Sequence, residues 1–282
     1  VQAALYAGSP YENDALGTRP SFDKTDAALL RRFYESWYAP NNAVLVIAGD
    51  VDPAAAMAQV RDAFGAIPSR LVPPHASVAA PAAVAKALSL PTDSAVGFAA
   101  VAFRFPGMQD QDFAAADVLG DVLSSQRGPL YALVPGGKAL SAQFSYQALK
   151  GAGIGMALAS FPRAADPAPT LAAVRDVLVT LARDGADPAL VEASKQQELA
   201  QLAFATDSVT VRGAASPDEM AQAYAAVTPA DVNRVAQQML ALDYAVTAVL
   251  TPQGSGRPTS NAQFGQPESL GSPPDHPVEL PE

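Results

Sequence analysis

The sequence predicts an α+β protein of two related mixed α/β units, mostly antiparallel sheet packed with helices, the first truncated at its N-terminus. Three observations carry that expectation. Stretches with apolar residues at helical spacing alternate with short unbroken apolar runs of strand length. Hydrophobic residues make up 49% of the chain but aromatic residues only 7%, so the cores are expected to be Ala-rich and helical. Finally, Thr25-Asp26-Ala27-Ala28-Leu29-Leu30-Arg31-Arg32, leading to Ala43-Val44-Leu45-Val46, matches Thr228-Pro229-Ala230-Asp231-Val232-Asn233-Arg234-Val235, leading to Ala245-Val246-Thr247-Ala248. Each copy reads as capped helix, turn, buried strand, which implies a duplication.

The elements follow in order. Residues 1–18 are turn chemistry around Gly8-Ser9-Pro10-Tyr11. Thr25 or Asp26 caps a helix whose Leu29, Leu30, Phe33, Tyr34 and Trp37 share a face, and Pro40 stops it. Asn41-Asn42 leads into the apolar run Ala43–Ala48, expected to be a strand covered on both faces. Asp52-Pro53 opens a second helix with Pro at its first position, striped by Met57, Val60 and Phe64 and ended by Gly65. Prolines 68, 73, 74, 81 and 91 mark an extended connection that leaves room for an edge strand near residues 79–90.

The second unit begins at Ser94. Residues 95–105 form a strand ending at Pro106-Gly107, and 110–123 a helix. Residues 129–134 make a helical turn, and 139–149 with 153–161 a hairpin. Helices follow over 170–184, 189–204, 217–226 and from Thr228 to about 242, then a closing strand over 244–250. The chain thus divides into residues 1–70, a linker over 71–93, a second unit over 94–252, and a tail over 253–282. That tail is rich in Gly, Ser, Pro and Gln and is expected to be a linker or disordered.

Composition excludes several functions. The 282 residues include 18 basic and 28 acidic side chains, a net charge of −10. That balance opposes nucleic-acid binding, which needs a positive surface. The absence of Cys rules out disulfides, iron–sulfur clusters and thiol catalysis. The two histidines, His75 and His276, stand far apart in Pro-rich surroundings and are not expected to form a metal site. No stretch is apolar for long enough to span a membrane. Val1-Gln2-Ala3-Ala4 lacks the basic start of a signal peptide, and the sequence reads as beginning in the middle of a longer protein.

Residues 22–68 carry a specific pattern: Phe33-Tyr34-Glu35-Ser36-Trp37-Tyr38-Ala39-Pro40-Asn41-Asn42, then Ala43–Ala48 with Gly49-Asp50-Val51, then Phe64-Gly65-Ala66-Ile67-Pro68. This resembles the end of the first domain of the pitrilysin/insulinase-type zinc metallopeptidases, the family of the mitochondrial processing peptidases and their bacterial relatives. Its structural signature falls here on Tyr38, Pro40, Asn42, Gly49, Asp50, Phe64, Gly65 and Pro68. Gly8-Ser9-Pro10-Tyr11 stands where such proteins often have His-Pro-Tyr-Gly, so Ser9 and Glu12 depart from the pattern. Residues 94–250, with Gly128-Pro129-Leu130-Tyr131-Ala132-Leu133, resemble the family's second, metal-free domain. Phe264-Gly265, Glu268 and Val278-Glu279-Leu280-Pro281 resemble the connector of four-domain bacterial members. The stretch between Ser208 and Pro217 is shorter than the family's.

The resemblance implies peptide-bond hydrolysis at a zinc held by His-x-x-Glu-His on a helix, with the Glu as base. That motif is absent from these 282 residues, so no catalytic or metal-ligating residue is expected here and no cofactor. Zinc is expected in a full-length active protein or in a partner. Two readings follow. The chain is part of a zinc endopeptidase whose motif lies upstream, this part forming the chamber wall and peptide-binding surface. Alternatively it is an inactive subunit or half that binds peptide and supports an active partner. A third class is a binding module without peptidase work. Expected partners are a peptide substrate and the second half of a longer chain or a partner subunit, with no nucleic acid and no membrane span. An acidic chamber wall would favour basic peptides. The family's habits suggest the periplasm, with the cytoplasm as alternative. Arg104 and Lys138 are expected to be exposed charges near loops rather than substrate-binding residues. Gly136-Gly137 lacks a phosphate-loop context, and Asp110, Asp112, Asp117 and Asp121 are spread along a helix rather than a calcium loop.

Overall fold

A computed structural model of the chain describes residues 1–14, 17–74, 81–206 and 216–254. His75, His276, the stretch from Ser208 to Ala215 and the tail beyond Gly254 lie outside the described residues. Four helices come first: α1 (Gln2–Leu5), α2 (Arg19–Phe22), α3 (Ala27–Trp37) and α4 (Pro53–Phe64). Local signals build them. The Asp26 carboxylate accepts from the Leu29 amide at the start of α3, and Asp52 accepts from Ala54 and Ala55 at the start of α4, satisfying amides that a helix start leaves unpaired.

The run Ala43–Ala48 departs from expectation. It is extended but forms no strand ladder among the described residues, and Val44 and Leu45 are 89% and 57% exposed. The physical reason is that a strand, unlike a helix, takes its hydrogen bonds from a neighbour. The apolar residues of α3 and α4, Leu29, Phe33, Met57 and Phe64 among them, are exposed as well.

The remainder is a packed α+β unit. Its strands are β1 (Lys86–Thr92), β2 (Val96–Phe105), β3 (Ser141–Ala148), β4 (Gly153–Pro162) and β5 (Val246–Pro252), in sheet order β1-β5-β2-β4-β3. All neighbours are antiparallel except β1 and β5. β1 is an edge strand, which is where Pro91 costs no ladder bond. Helices α5 (Phe113–Ser124), α6 (Pro167–Asp184), α7 (Pro188–Thr206), α8 (Pro217–Ala226) and α9 (Pro229–Met239) complete it.

The core lies between one sheet face and these helices. Val101, Phe103 and Ala157 from the strands meet Leu119 of α5, Leu178 of α6 and Val235 of α9, all buried. Each of the Val, Leu and Phe side chains contributes about 1.5–3 kcal/mol by leaving water. Glycines admit the aromatic rings: a Cβ on Gly97 would lie 2.2 Å from the Phe161 ring, which therefore lies flat across β2. Thr228 and Ser216 open α9 and α8 with reciprocal capping boxes to Asp231 and Glu219, each holding its acidic partner below the usual carboxylate range.

Candidate functional site

Side chains alternate across a strand, so the sheet has a second face. The register places Phe98, Ala100 and Ala102 of β2 beside Leu158 and Met156 of β4, and beside Leu250, Ala248 and Val246 of β5. β1 adds Lys86, Leu88 and Leu90. β3 adds Ser141, Gln143, Ser145 and Gln147 as a polar margin, with Ser141 Oγ 2.6 Å from Ser160 Oγ. The long helices of the unit are on the other side. In the middle of this helix-free face Ala100 and Ala248 are 2% and 1% exposed, while Leu90 at the edge is 48% exposed. The face is an apolar floor of small residues with larger, half-buried neighbours.

One end of it is covered from within. Leu5 and Tyr6 pack on Ala102, Ala152 and Val246. The Tyr6 hydroxyl donates to the Gly153 carbonyl at 2.6 Å and accepts from the Gly153 amide at 3.2 Å. Burial pushes the Tyr6 phenol up, partly offset by that bond and by the charge of Arg104. Arg104 completes the clip. Its Nε donates to the Leu5 carbonyl at 2.6 Å, its Nη1 to the Pro81 carbonyl, and its guanidinium carbon lies 4.9 Å from the Tyr6 ring centroid. Tyr11 accepts from the Gly151 amide at 3.1 Å. Arg104 is therefore an anchor for the N-terminal segment rather than a loop charge, a role that strand position alone does not reveal. Lys138 lines two adjoining clefts of about 500 and 830 Å³ along α6, and its carbonyl accepts from Thr170.

The acidic groups sit in the helical layer. Arg234 grips Asp112 through two bonds of 2.9 and 2.7 Å and holds its carboxyl below the usual range. Tyr224 donates to Asp117 at 2.6 Å. Asp121 shares a hydrogen bond with Glu198; burial raises its carboxyl, and the Asp117 charge adds to the rise. Asp121 Oδ2 is buried with no hydrogen-bond partner among the described residues. These groups serve the packing of α5 on α7, α8 and α9. No group of three His, Asp or Glu among the described residues could hold a metal, so the described residues do not fit a zinc ion.

Some of the signature residues make local contacts or occupy special backbone positions. Tyr38 stacks on Tyr34 at 5.0 Å between ring centroids. Pro40 opens a short turn in which Asn42 donates to the Trp37 carbonyl at 2.9 Å. Gly49 has a φ of +137°, a backbone state that favours glycine. Gly65 ends α4 where a Cβ would lie 2.4 Å from the Arg61 carbonyl oxygen. Asp50, Phe64 and Pro68 are exposed. Asn41, which the signature omits, exchanges two bonds of 2.9 and 3.0 Å with the Arg70 backbone and closes the segment.

The described residues thus form a two-layer α+β unit with an apolar sheet face opposite its long helices. Residues 24–198 match the sequence model of the peptidase M16 inactive domain. The chain belongs to this M16 peptidase family, the pitrilysin type. A curated relative, the probable zinc protease PqqL of Escherichia coli, is 31% identical over 58 residues, which are 21% of this chain and 6% of that protein. Among solved structures, a protease from Helicobacter pylori superposes with a TM-score of 0.76 at 17% identity, over 88% of this chain and 64% of its own. The first half of the periplasmic protease PqqL gives 0.69 at 18% identity, over 89% and 60%. The chain thus spans under two thirds of each of these relatives, and the structures share its fold. No helix among the described residues is long and apolar enough to cross a membrane.

Proposed function

We propose that this chain is a metal-free part of an M16 endopeptidase, residues 94–252 forming one wall of a chamber and binding peptide for a zinc centre carried elsewhere. The zinc helix belongs either to a segment upstream in the same polypeptide or to a partner, and the work takes place in the periplasm. The observation that supports this reading is the sheet face opposite the long helices: an apolar surface, left uncovered by the unit's own helices, can take the side chains that an extended peptide turns to one side. The residues of this chain then bind and orient. The Tyr6–Arg104 clip sets where the first unit meets that face. Bond cleavage belongs to the zinc centre, which would activate water and polarise the scissile carbonyl.

The test pairs binding with cleavage. The chain alone should bind a fluorescent peptide by anisotropy and leave it intact. The polypeptide or complex that includes His-x-x-Glu-His should cleave it and lose activity with chelator. Cleavage by this chain alone, or chelator-resistant cleavage by the complete protein, overturns the reading.

A further inference from the structure

All five strands of the sheet, on either face, are without a single Asp or Glu. The chain carries ten more acidic than basic side chains, a net charge of −10, yet the acidic groups of this unit stand on helices, as with Asp117 and Asp121 of α5 and Glu198 of α7, or in loops, as with Asp93, Asp110 and Asp187. The helix-free face holds two cations. Arg104 is engaged by the Leu5 and Pro81 carbonyls, and Lys86 is exposed on the edge strand.

From this partition we infer that the peptide segment taken by the helix-free face is uncharged, with small or aliphatic side chains, and is not basic. The inference rests on the proposed peptide-binding role and reverses the preference that the chain's net charge suggests. A Lys or Arg brought onto Ala100, Ala248 and Leu158 would lose its hydration and meet no carboxylate on the strands in compensation, which is costly. Alternate side chains of an extended peptide point to one side. Aliphatic ones would bury against this floor, while the hydroxyls and amides of Ser141, Gln143, Ser145 and Gln147 offer the rim neutral hydrogen bonds. Acidic peptides gain only Lys86, and long-range repulsion from the acidic chain opposes them.

The experiment measures anisotropy of three labelled peptides of equal length on the 282-residue chain: one of Ala, Val, Leu and Ser, one rich in Lys and Arg, one rich in Asp and Glu. The neutral peptide is expected to bind at least roughly tenfold tighter than either charged one, a difference of about 1.4 kcal/mol. Leu158→Glu should weaken the neutral peptide and strengthen the basic one. Ser145→Glu, at an exposed rim position that folding tolerates, should shift the preference the same way by a smaller factor. Tighter binding of the basic peptide to the unaltered chain overturns the inference while peptide binding stands. Equal binding of all three, or no response to either substitution, also overturns it. Binding of none overturns the proposed function itself.

Discussion

α9 and β5 repeat the pattern of α3 and residues 43–48, and the two copies end in different states. In the second copy Thr228 caps the helix, Val232, Val235 and Ala236 are fully buried, and β5 is inserted between β1 and β2. In the first copy Asp26 caps the helix equally well, yet no residue of α3 is buried and the strand-like run has no ladder. Caps and apolar spacing are enough to place a helix, because its hydrogen bonds are internal. They are not enough to make a strand or a core, which depend on neighbours supplied by the rest of a unit.

The comparison can be broken by core truncation, which carries the largest expected effect. Leu178→Ala should cost about 3 kcal/mol in urea unfolding. Leu29→Ala, at a residue 42% exposed, should change it by less than about 0.5 kcal/mol. Equal losses would show that both copies are packed. Cap removal sharpens the same contrast. Thr228→Ala should lower global stability by about 1 kcal/mol, whereas Asp26→Ala should reduce helix content by circular dichroism without moving the unfolding midpoint.

The contact between the two regions is tested next. Tyr6→Phe removes the hydroxyl that both donates to and accepts from Gly153. It should cost about 1 kcal/mol or less and speed hydrogen exchange at the Gly153 amide; unchanged exchange would mean that the clip is not held in solution.

The smallest effect concerns Asp121. Burial raises its folded carboxyl above the unfolded value, so the native state keeps the proton longer. Stability is then fully present below the unfolded value and falls as pH rises through the folded one. Asp121→Asn should flatten that decline and stabilise the neutral protein by under about 1 kcal/mol. A steeper decline in the variant would contradict the assignment.

Much of the second unit was legible in sequence. The cap at Thr228, the breaks at Pro106-Gly107 and Gly185, and the hairpin around Gly151 are local signals, and the structure follows them. The strand expected at Ala43–Ala48 does not form among the described residues, because an apolar run favours burial but cannot supply the neighbouring strand it needs. The Tyr6–Gly153 and Arg104–Leu5 bonds were not legible, since they join residues 147 and 99 positions apart and neither partner has a distinctive local pattern. The charge partition is legible in sequence once the strands are placed, because none of the five strand segments carries a carboxylate.

The placement of β5 sets a timetable for biosynthesis. Among the described residues β1 has β5 as its only neighbour in the sheet, with Lys86 opposite Val246. A chain emerging from the ribosome therefore has its hairpin and central strand long before it can dock β1, and the flank of β2 that β5 will occupy stays open meanwhile. Such distant pairing slows folding, and an open apolar strand flank invites pairing with other chains. Ending the sequence before Val246, so that β5 is deleted, should therefore yield aggregates rather than a slightly smaller domain, with two strands lost from the sheet for one deleted.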